Sequence, residues 1–422
     1  MTARSLSPGL MAFAVASTIK AAGTGFYYPF SLLFFTEVLN TSYATIGAVL
    51  TVSNFVALPL LPFIGRIVDR SGGKTALISS LVVRAAGFVV VIVWPSISMF
   101  VLVAVLNALA ARVDAVATQL LCIELPRDEG DFPRWLAMFR STFNLGFGIG
   151  TLAAGLLVSI DRNVIGGIGF VVAAGFLVAA GIYLTLTPAR RPAHEAPPGR
   201  LSGEPESLPA RRRPMDGRYV LLTVVSSIAS AAGLLLESLL APYLLAHTSA
   251  PAWLAGVLIA LNTALLALLF VPLEGTISRR RQVRALRLSC ILILVGLVAL
   301  PAVGTTHVVP PWAAAVVLAV GILVYSAGEL VSTQVLGVLL TALPEPSRRG
   351  SALSFGQLVG GVVAAGVPWV SGLILDSNSP WLWVAVLAPV LASILVTFLR
   401  GIRQSLDKPV SEIVRTNVSA ST

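Results

Sequence analysis

The sequence predicts an all-α integral membrane protein, twelve transmembrane helices arranged as two pseudo-symmetric six-helix bundles. Three observations predict it. Hydrophobic residues make up 56% of the 422-residue chain, charged residues only 11%, and the mean hydropathy is +0.89, a balance far outside that of soluble globular domains. The hydrophobic residues gather into twelve runs of the length that crosses a hydrocarbon core. Basic residues collect in alternate loops between those runs.

In chain order the runs cover residues 9–39, 43–65, 75–95, 98–125, 134–160 and 163–187, and after a break 218–247, 252–275, 284–303, 311–343, 349–375 and 379–401. The first is too long for a signal peptide and has no small-residue cleavage site after it, so it reads as a retained helix. The break, residues 188–216, holds seven prolines and the basic cluster Arg211, Arg212 and Arg213. Such a composition cannot bury a core and reads as a flexible cytoplasmic linker. The expected organisation is an N-terminal bundle over 1–187, the linker over 188–216, a C-terminal bundle over 217–403 and a loose tail over 404–422.

Of the 29 Lys and Arg residues, Lys20, Arg84 and Arg112 fall within runs and Arg162 falls in an opposite-side connection. The others sit at the termini or in and beside loops 2–3, 4–5, 6–7, 8–9 and 10–11. That asymmetry places those loops and both termini in the cytoplasm of a multi-pass plasma-membrane protein. The opposite loops, such as Asn40–Ser42 and His247–Pro251, are short and nearly uncharged, which leaves no room there for an extracellular domain. The net charge of +10 is spread among these loops, so it reflects orientation and not a nucleic-acid partner. Cys122 and Cys290 lie far apart in apolar runs, and the chain has three histidines. No disulfide framework, zinc spacing, Ser-His-acid spacing or nucleotide loop is present, so neither an enzyme nor a cofactor or metal protein is expected.

Between the second and third runs lies Gly65-Arg-Ile-Val-Asp69-Arg70-Ser-Gly72-Gly-Lys74. Gly65 suits a close helix approach and Gly72 a sharp turn, while Asp69 is an acid beside the cations Arg66, Arg70 and Lys74. The stretch fits G-x-x-x-D-R-x-G-x-K at every specified position and thereby resembles the signature loop of the major facilitator superfamily of secondary transporters. The resemblance implies a gating loop. The cytoplasmic end of helix 2 would meet the start of helix 11 near Ser347–Ser351, whose N-terminal dipole holds Asp69, while Arg70 or Lys74 reaches Glu124 at the end of helix 4. A purely topological role for Arg66 and Lys74 stands beside this. A degraded echo, Gly275-Thr-Ile-Ser-Arg279-Arg280, follows half a chain later with Arg279 in the place of Asp69, so acid-dependent switching belongs to the first copy.

In helix 5, Gly146-Phe-Gly-Ile-Gly150-Thr151-Leu-Ala-Ala154-Gly155 resembles the antiporter pattern G-x-x-x-G-P-x-x-G-G, with Thr151 for the proline and Ala154 for a glycine. That resemblance implies an exporter of the bacterial drug/proton antiporter type, and small residues at this spacing also serve plain helix packing. The arginine that the family carries in helix 4 would fall near Asn107, and Arg112 lies too late to take its place.

Ionisable residues within spans cost about 2.5 to 3.5 kcal/mol on insertion scales and are functional candidates by default. Here they are Lys20, Arg84, Arg112, Asp114, Glu237 and Glu329. Lys20, Thr24, Tyr27 and Ser31 form one polar stripe on helix 1, Ser226, Ser230, Gly233 and Glu237 another on helix 7, and Tyr325, Glu329 and Ser332 a third on helix 10. The resemblance implies that helices 1, 4, 7 and 10 line a central cavity. On helix 4, Arg112 with Gln119 and Asp114 with Asn107 and Thr118 define stripes about 200° apart, and only one can face that cavity squarely. Arg112, Asp114 and Arg84 also make sense as a static ion network. Desolvation favours the protonated form of a carboxyl and a neighbouring cation the ionised form, so Asp114, Glu237 and Glu329 are proton-coupling candidates according to their neighbours. Asn54, Asn144, Asn262 and Gln357, with the aromatics Phe26, Tyr27, Tyr28, Phe143 and Phe355, suit a moderately polar, amphipathic organic solute.

These readings together predict a monomeric, proton-coupled exporter of small organic or drug-like molecules that exposes a midplane site alternately to each side. An uptake permease or uniporter is the rival within the same class. A membrane enzyme and a non-transporting receptor or scaffold are rivals from other classes.

Overall fold

The computed structural model describes residues 8–125, 132–187, 217–248, 250–277, 282–304, 310–342, 349–377, 379, 381–382 and 384–385. The linker 188–216, the body of the twelfth run, the tail 404–422 and Arg279 and Arg280 lie outside them. The described residues that are regular are helical throughout. Ten helices or helix pairs are long and apolar enough to span a bilayer, and Trp253–Leu266 adds a shorter apolar stretch.

The first span is α1 (Pro8–Tyr27) and α2 (Ser31–Leu39), joined by a 3₁₀ turn at Tyr28–Phe30. Pro29 has no amide to give the helical ladder, so the helix tightens locally instead of running straight. Asn40, at φ 47°, ends it in the left-handed conformation. The second span repeats the device, with α3 (Tyr43–Ala57) and α4 (Leu61–Ser71) joined through the Pro59 turn at Leu58–Leu60. Ser42 opens α3 by accepting from Thr45 N, as Ser96 opens α6 (Ile97–Glu124) by accepting from Met99 N. Between α4 and α5 (Gly73–Val93), Gly72 takes φ 78°, ψ 152°, a region open only to glycine, and the chain reverses there. The N-terminal half closes with α7 (Phe132–Ile160) and α8 (Ile168–Thr185). The C-terminal half contains α9 (Gly217–His247), α10 (Ala252–Ile277), α11 (Gln282–Gly304), α12 (Pro311–Ala342) and α13 (Arg349–Asp376).

Within the N-terminal half α1 packs on α7 and α8, α5 on α6 and α8, and α3 on α6. In the C-terminal half α12 packs on α11, α10 and α9, and α13 on α9. Phe13, Phe30, Phe34, Phe100 and Phe176 are fully buried in the N-terminal half. Apolar residues such as Val89, Leu102, Phe170 and Val295 remain exposed, as a surface bathed in hydrocarbon requires.

The halves meet along α3 with α13 and along α7 with α10. Those contacts lie towards the face opposite the basic loops: a Cβ on Gly47 would run into the Pro368 carbonyl, one on Gly372 into the Tyr43 carbonyl, and one on Gly256 would come within 2.7 Å of the Thr151 carbonyl. Beyond the Leu58–Leu60 turn, α4 follows α5 and α6. The molecule is thus closed between its halves on the face that carries Asn40 and Asp376.

Candidate functional site

Two clusters of buried polar groups occupy the interior, one in each half, and they differ in charge. In the N-terminal half Asp114 of α6 accepts from Lys20 Nζ of α1 at 2.7 Å through Oδ1 and from Arg84 Nη1 of α5 at 3.1 Å through Oδ2. Thr118, one turn further along α6, accepts from Lys20 Nζ at 3.0 Å and donates to Asp114 Oδ1 at 3.0 Å. Arg84 Nε donates to Asn107 Oδ1 at 3.2 Å, and its guanidinium lies 4.4 Å from the centre of the Phe176 ring. Lys20, Arg84 and Asp114 are only 3%, 8% and 8% exposed, so this is a sealed ion cluster. Charge-assisted bonds of this kind satisfy groups that hydrocarbon could not.

This arrangement buries one of the two stripes of the fourth span inside the N-terminal half. The Asp114, Asn107 and Thr118 stripe turns inward, while Gln119 is exposed and Arg112 is half-buried outside the cluster. The expected network of Arg112, Asp114 and Arg84 is therefore corrected to Lys20, Asp114 and Arg84, because α6 carries Arg112 on a different face from Asp114. At Asn107, where the resemblance would look for an arginine, α5 supplies a guanidinium from Arg84.

The second cluster has no such pairing. Glu329 Oε2 of α12 accepts from Asn262 Nδ2 of α10 at 2.9 Å, and the same amide reaches Ser326 Oγ at 2.8 Å. The other carboxylate oxygen lies over Gly233 of α9, where a Cβ would stand 2.8 Å away. Glu237 lies one turn further along α9 and within electrostatic range of Glu329 and of Tyr28. Among the described residues no cation lies within ion-pair distance of either glutamate. α9 packs here against the Tyr28–Phe30 turn of the other half, so Glu237 sits at the seam between halves, with Glu329 behind it in contact with α9 and α10 of its own half. Tyr28 continues into a row of rings on α7, with Phe147 at 6.5 Å and Phe143 at a further 6.0 Å.

The remaining candidates disperse. Tyr27 is buried against Phe35 and Phe88 and lines a small cavity of the N-terminal half with Arg84 and Asn107. Thr24 donates to the Lys20 carbonyl and Asn54 to the Leu50 carbonyl, each one turn back in its own helix. Tyr325 is fully buried beside Gly233, Asn144 is half-buried, and Gln357 is exposed. The antiporter-like stretch forms a seam between α1 and α7, where a Cβ on Gly146 or Gly150 would run into the carbonyls of Thr18 and Ala22. Thr151 Oγ1 is within bonding distance of the carbonyls of Phe147 and Gly25.

At the basic face, Glu124 accepts from the Gly73 amide, the first of α5, at 3.2 and 3.3 Å. Lys74 Nζ does not reach Glu124 but donates to the carbonyls of Leu184 and Leu186 at the end of α8, both at 2.7 Å. Among the described residues neither Arg70 nor Lys74, the two expected partners, pairs with Glu124, and Lys74 makes two helix-end contacts instead, because α8 ends beside it with carbonyls its own helix leaves over. Arg70 is exposed and Gly65 has open space around it. The Asp69 side chain and Ser347 and Arg348 before α13 lie outside the described ones. Sequence reasoning missed Ser326, which shares the Asn262 amide, and Asp376, which accepts from the first amides of α3. An acid on a face whose loops carry almost no charge was the available signal for Asp376.

The sequence profile of the Major Facilitator Superfamily matches residues 13–335. No curated protein matches the chain in sequence. Among solved structures, the nucleoside transporter NupG is similar with a TM-score of 0.70 at 15% identity, over 93% of this chain and 100% of that one. A bacterial homolog to the human lysosomal transporter Spinster, in an inward-facing and unoccupied conformation, gives 0.65 at 15% identity over 97% and 95%. An auto-inhibited POT family peptide transporter gives 0.64 at 14% identity over 94% and 97%. At these identities the likeness is one of fold.

Proposed function

The chain belongs to the Major Facilitator Superfamily, and on that premise we propose that it is a proton-coupled exporter of small amphipathic organic compounds. It works by alternating access as a monomer in the plasma membrane, with the basic face and both termini in the cytoplasm. The observation that carries this reading is the glutamate pair. Among the described residues no cation pairs with Glu237 at the seam between halves or with Glu329 behind it, while Asp114 is held by two. A membrane-embedded carboxyl so placed takes its counter-charge from what the cycle brings, a proton or the basic group of a substrate. The two then compete for one site, which is the minimum an exchanger needs. Tyr28, Phe147 and Phe143 offer an apolar wall beside that charge, which supports an amphipathic amine over an inorganic ion.

The sealed Lys20, Asp114 and Arg84 cluster serves as the rigid brace of the N-terminal half. We assign Gly65, Asp69, Arg70, Gly72, Lys74 and Glu124 to a gating element on the cytoplasmic face, anchored by the Glu124 and Lys74 contacts.

The test uses the full-length protein in proteoliposomes with fluorescent amphipathic amines and an imposed pH gradient. Glu329→Gln keeps the Asn262 contact but removes titration, so gradient-driven accumulation should vanish while exchange of bound substrate persists. Unchanged gradient-driven transport in both Glu329→Gln and Glu237→Gln overturns the assignment. Flux indifferent to the gradient would make the protein a uniporter, uptake driven by the gradient an importing permease, and no flux of any probe a receptor or scaffold.

A further inference from the structure

The face opposite the basic loops is shut by two helix caps that cross from one half to the other. α3, in the N-terminal half, begins at that face, and its first amides donate to the carboxylate of Asp376, the last residue of α13 in the C-terminal half. Tyr43 N reaches Oδ1 at 3.2 Å and Ala44 N reaches Oδ2 at 2.7 Å. Ser42 satisfies the third amide, Thr45 N, so Asp376 supplies the acceptors that the helix's own cap leaves over. The second cap runs the other way. α10, in the C-terminal half, begins at the same face, and Trp253 N donates at 2.7 Å to Ser159 Oγ near the end of α7 in the N-terminal half. Each cap joins the start of the second span of one half to the end of the fifth span of the other, so the two are related by the internal repeat.

We propose that Asp376 is the principal latch of this gate, with Ser159 as its neutral counterpart, and that opening the face requires both caps to break. An ionised acceptor on two amides at a helix N-terminus is stronger than a hydroxyl on one, because the carboxylate also meets the helix dipole. The latch does not stand alone. Trp369 N of α13, beside Pro368, donates to Thr51 Oγ1 of α3 at 3.1 Å, and Gly47 and Gly372 let the two backbones touch. Small residues bring the helices into register, and the carboxylate holds that register. The proposal rests on the alternating-access reading for its place in the cycle, but its readout needs neither substrate nor proton gradient.

The test measures the distance distribution across the gate in the full-length protein in lipid nanodiscs, with spin labels at Glu37→Cys and Ser379→Cys after replacement of Cys122 and Cys290 by serine. Asp376→Ala is expected to shift the population from closed to open at this face by at least about fivefold, Asp376→Asn by less, and Ser159→Ala by least. Tyr43→Pro removes one donor while keeping the helix, since Ser42 already has the extended conformation that precedes proline and the position is the first of the helix. It should shift the population beyond Tyr43→Ala, which loses the same side chain but keeps the amide, and should add little to Asp376→Ala. An Asp376→Ala distribution that matches the parent, or a Tyr43→Pro effect equal to that of Tyr43→Ala, overturns the latch. Normal flux in proteoliposomes with unmoved distances would sink the latch alone, and shifted distances without flux would sink the transport reading alone.

Discussion

Removing the carboxylate of Asp114 tests whether the buried cluster of the N-terminal half braces the fold. The cluster holds two cations, Lys20 and Arg84, and one anion. Asp114→Asn leaves both cations buried, facing each other without a counter-charge, and breaking a buried pair in this way costs about 3 to 5 kcal/mol. Lys20→Met leaves the Arg84 to Asp114 pair intact and neutral, so it should cost far less. The decisive variant is the double one. Lys20→Met with Asp114→Asn leaves a single unpaired cation instead of two, so it should be more stable than Asp114→Asn alone, a change of sign that additive losses cannot produce. Thermal unfolding of the purified proteins in one detergent, followed by tryptophan fluorescence, gives the order directly. If the losses simply add, or if Asp114→Asn keeps the parent midpoint while transport is lost, the cluster is working machinery and the brace is refuted.

Three further outcomes follow from local geometry. Gly72→Ala forces a side chain into backbone torsions reserved for glycine and should destabilise the protein by about 1 to 3 kcal/mol, read as a lower unfolding midpoint; an unchanged midpoint would mean the turn relaxes freely. Lys74→Met strips the charged donor from the Leu184 and Leu186 carbonyls and should cost about 1 to 3 kcal/mol, whereas Glu124→Gln, which still accepts from Gly73, should cost less in the same assay. Gly233→Ala places a methyl carbon 2.8 Å from Glu329 Oε1, so the flexible carboxylate must shift while the fold stands. Proton-driven flux should fall at least tenfold with the unfolding midpoint held, and retained flux would place the working carboxyl elsewhere.

The membrane spans were legible because hydrocarbon imposes a length and a composition on each helix that the chain cannot disguise. Ser42, Pro29, Pro59 and Gly72 could likewise mark breaks and starts, since their effects are local to the backbone. Partners across helices were another matter. Helical spacing put Lys20 on a stripe with Thr24, Tyr27 and Ser31 but could not say which helices that stripe meets, and here Lys20 meets Asp114 of α6. The spacing on α6 separated Asp114 from Arg112 correctly and could not say which face turned inward, because that depends on the neighbours of α6. Lys74 followed the same rule, reaching a helix end far along the chain in preference to the acid assigned to it.

The contrast between the halves then follows from where each charge can find a partner. Asp114 lies inside one half, between helices that pack within that half, so its pairing with Lys20 and Arg84 can survive a rigid rocking motion unchanged. Glu237 lies on α9 within electrostatic range of Tyr28 across the seam, and Asp376 takes its partners from the other half outright, so each must change surroundings whenever the halves move. An ionised group that is desolvated in one arrangement and hydrated in the next biases the equilibrium between them, and the bias equals the difference in its free energy between the two. Charges held within a half contribute nothing to that difference. In the proposed cycle the groups that can drive or hold it are therefore those at the seam, and a scan of all embedded and gate acids to their amides should move the conformational equilibrium at Glu237 and Asp376 while moving only stability at Asp114.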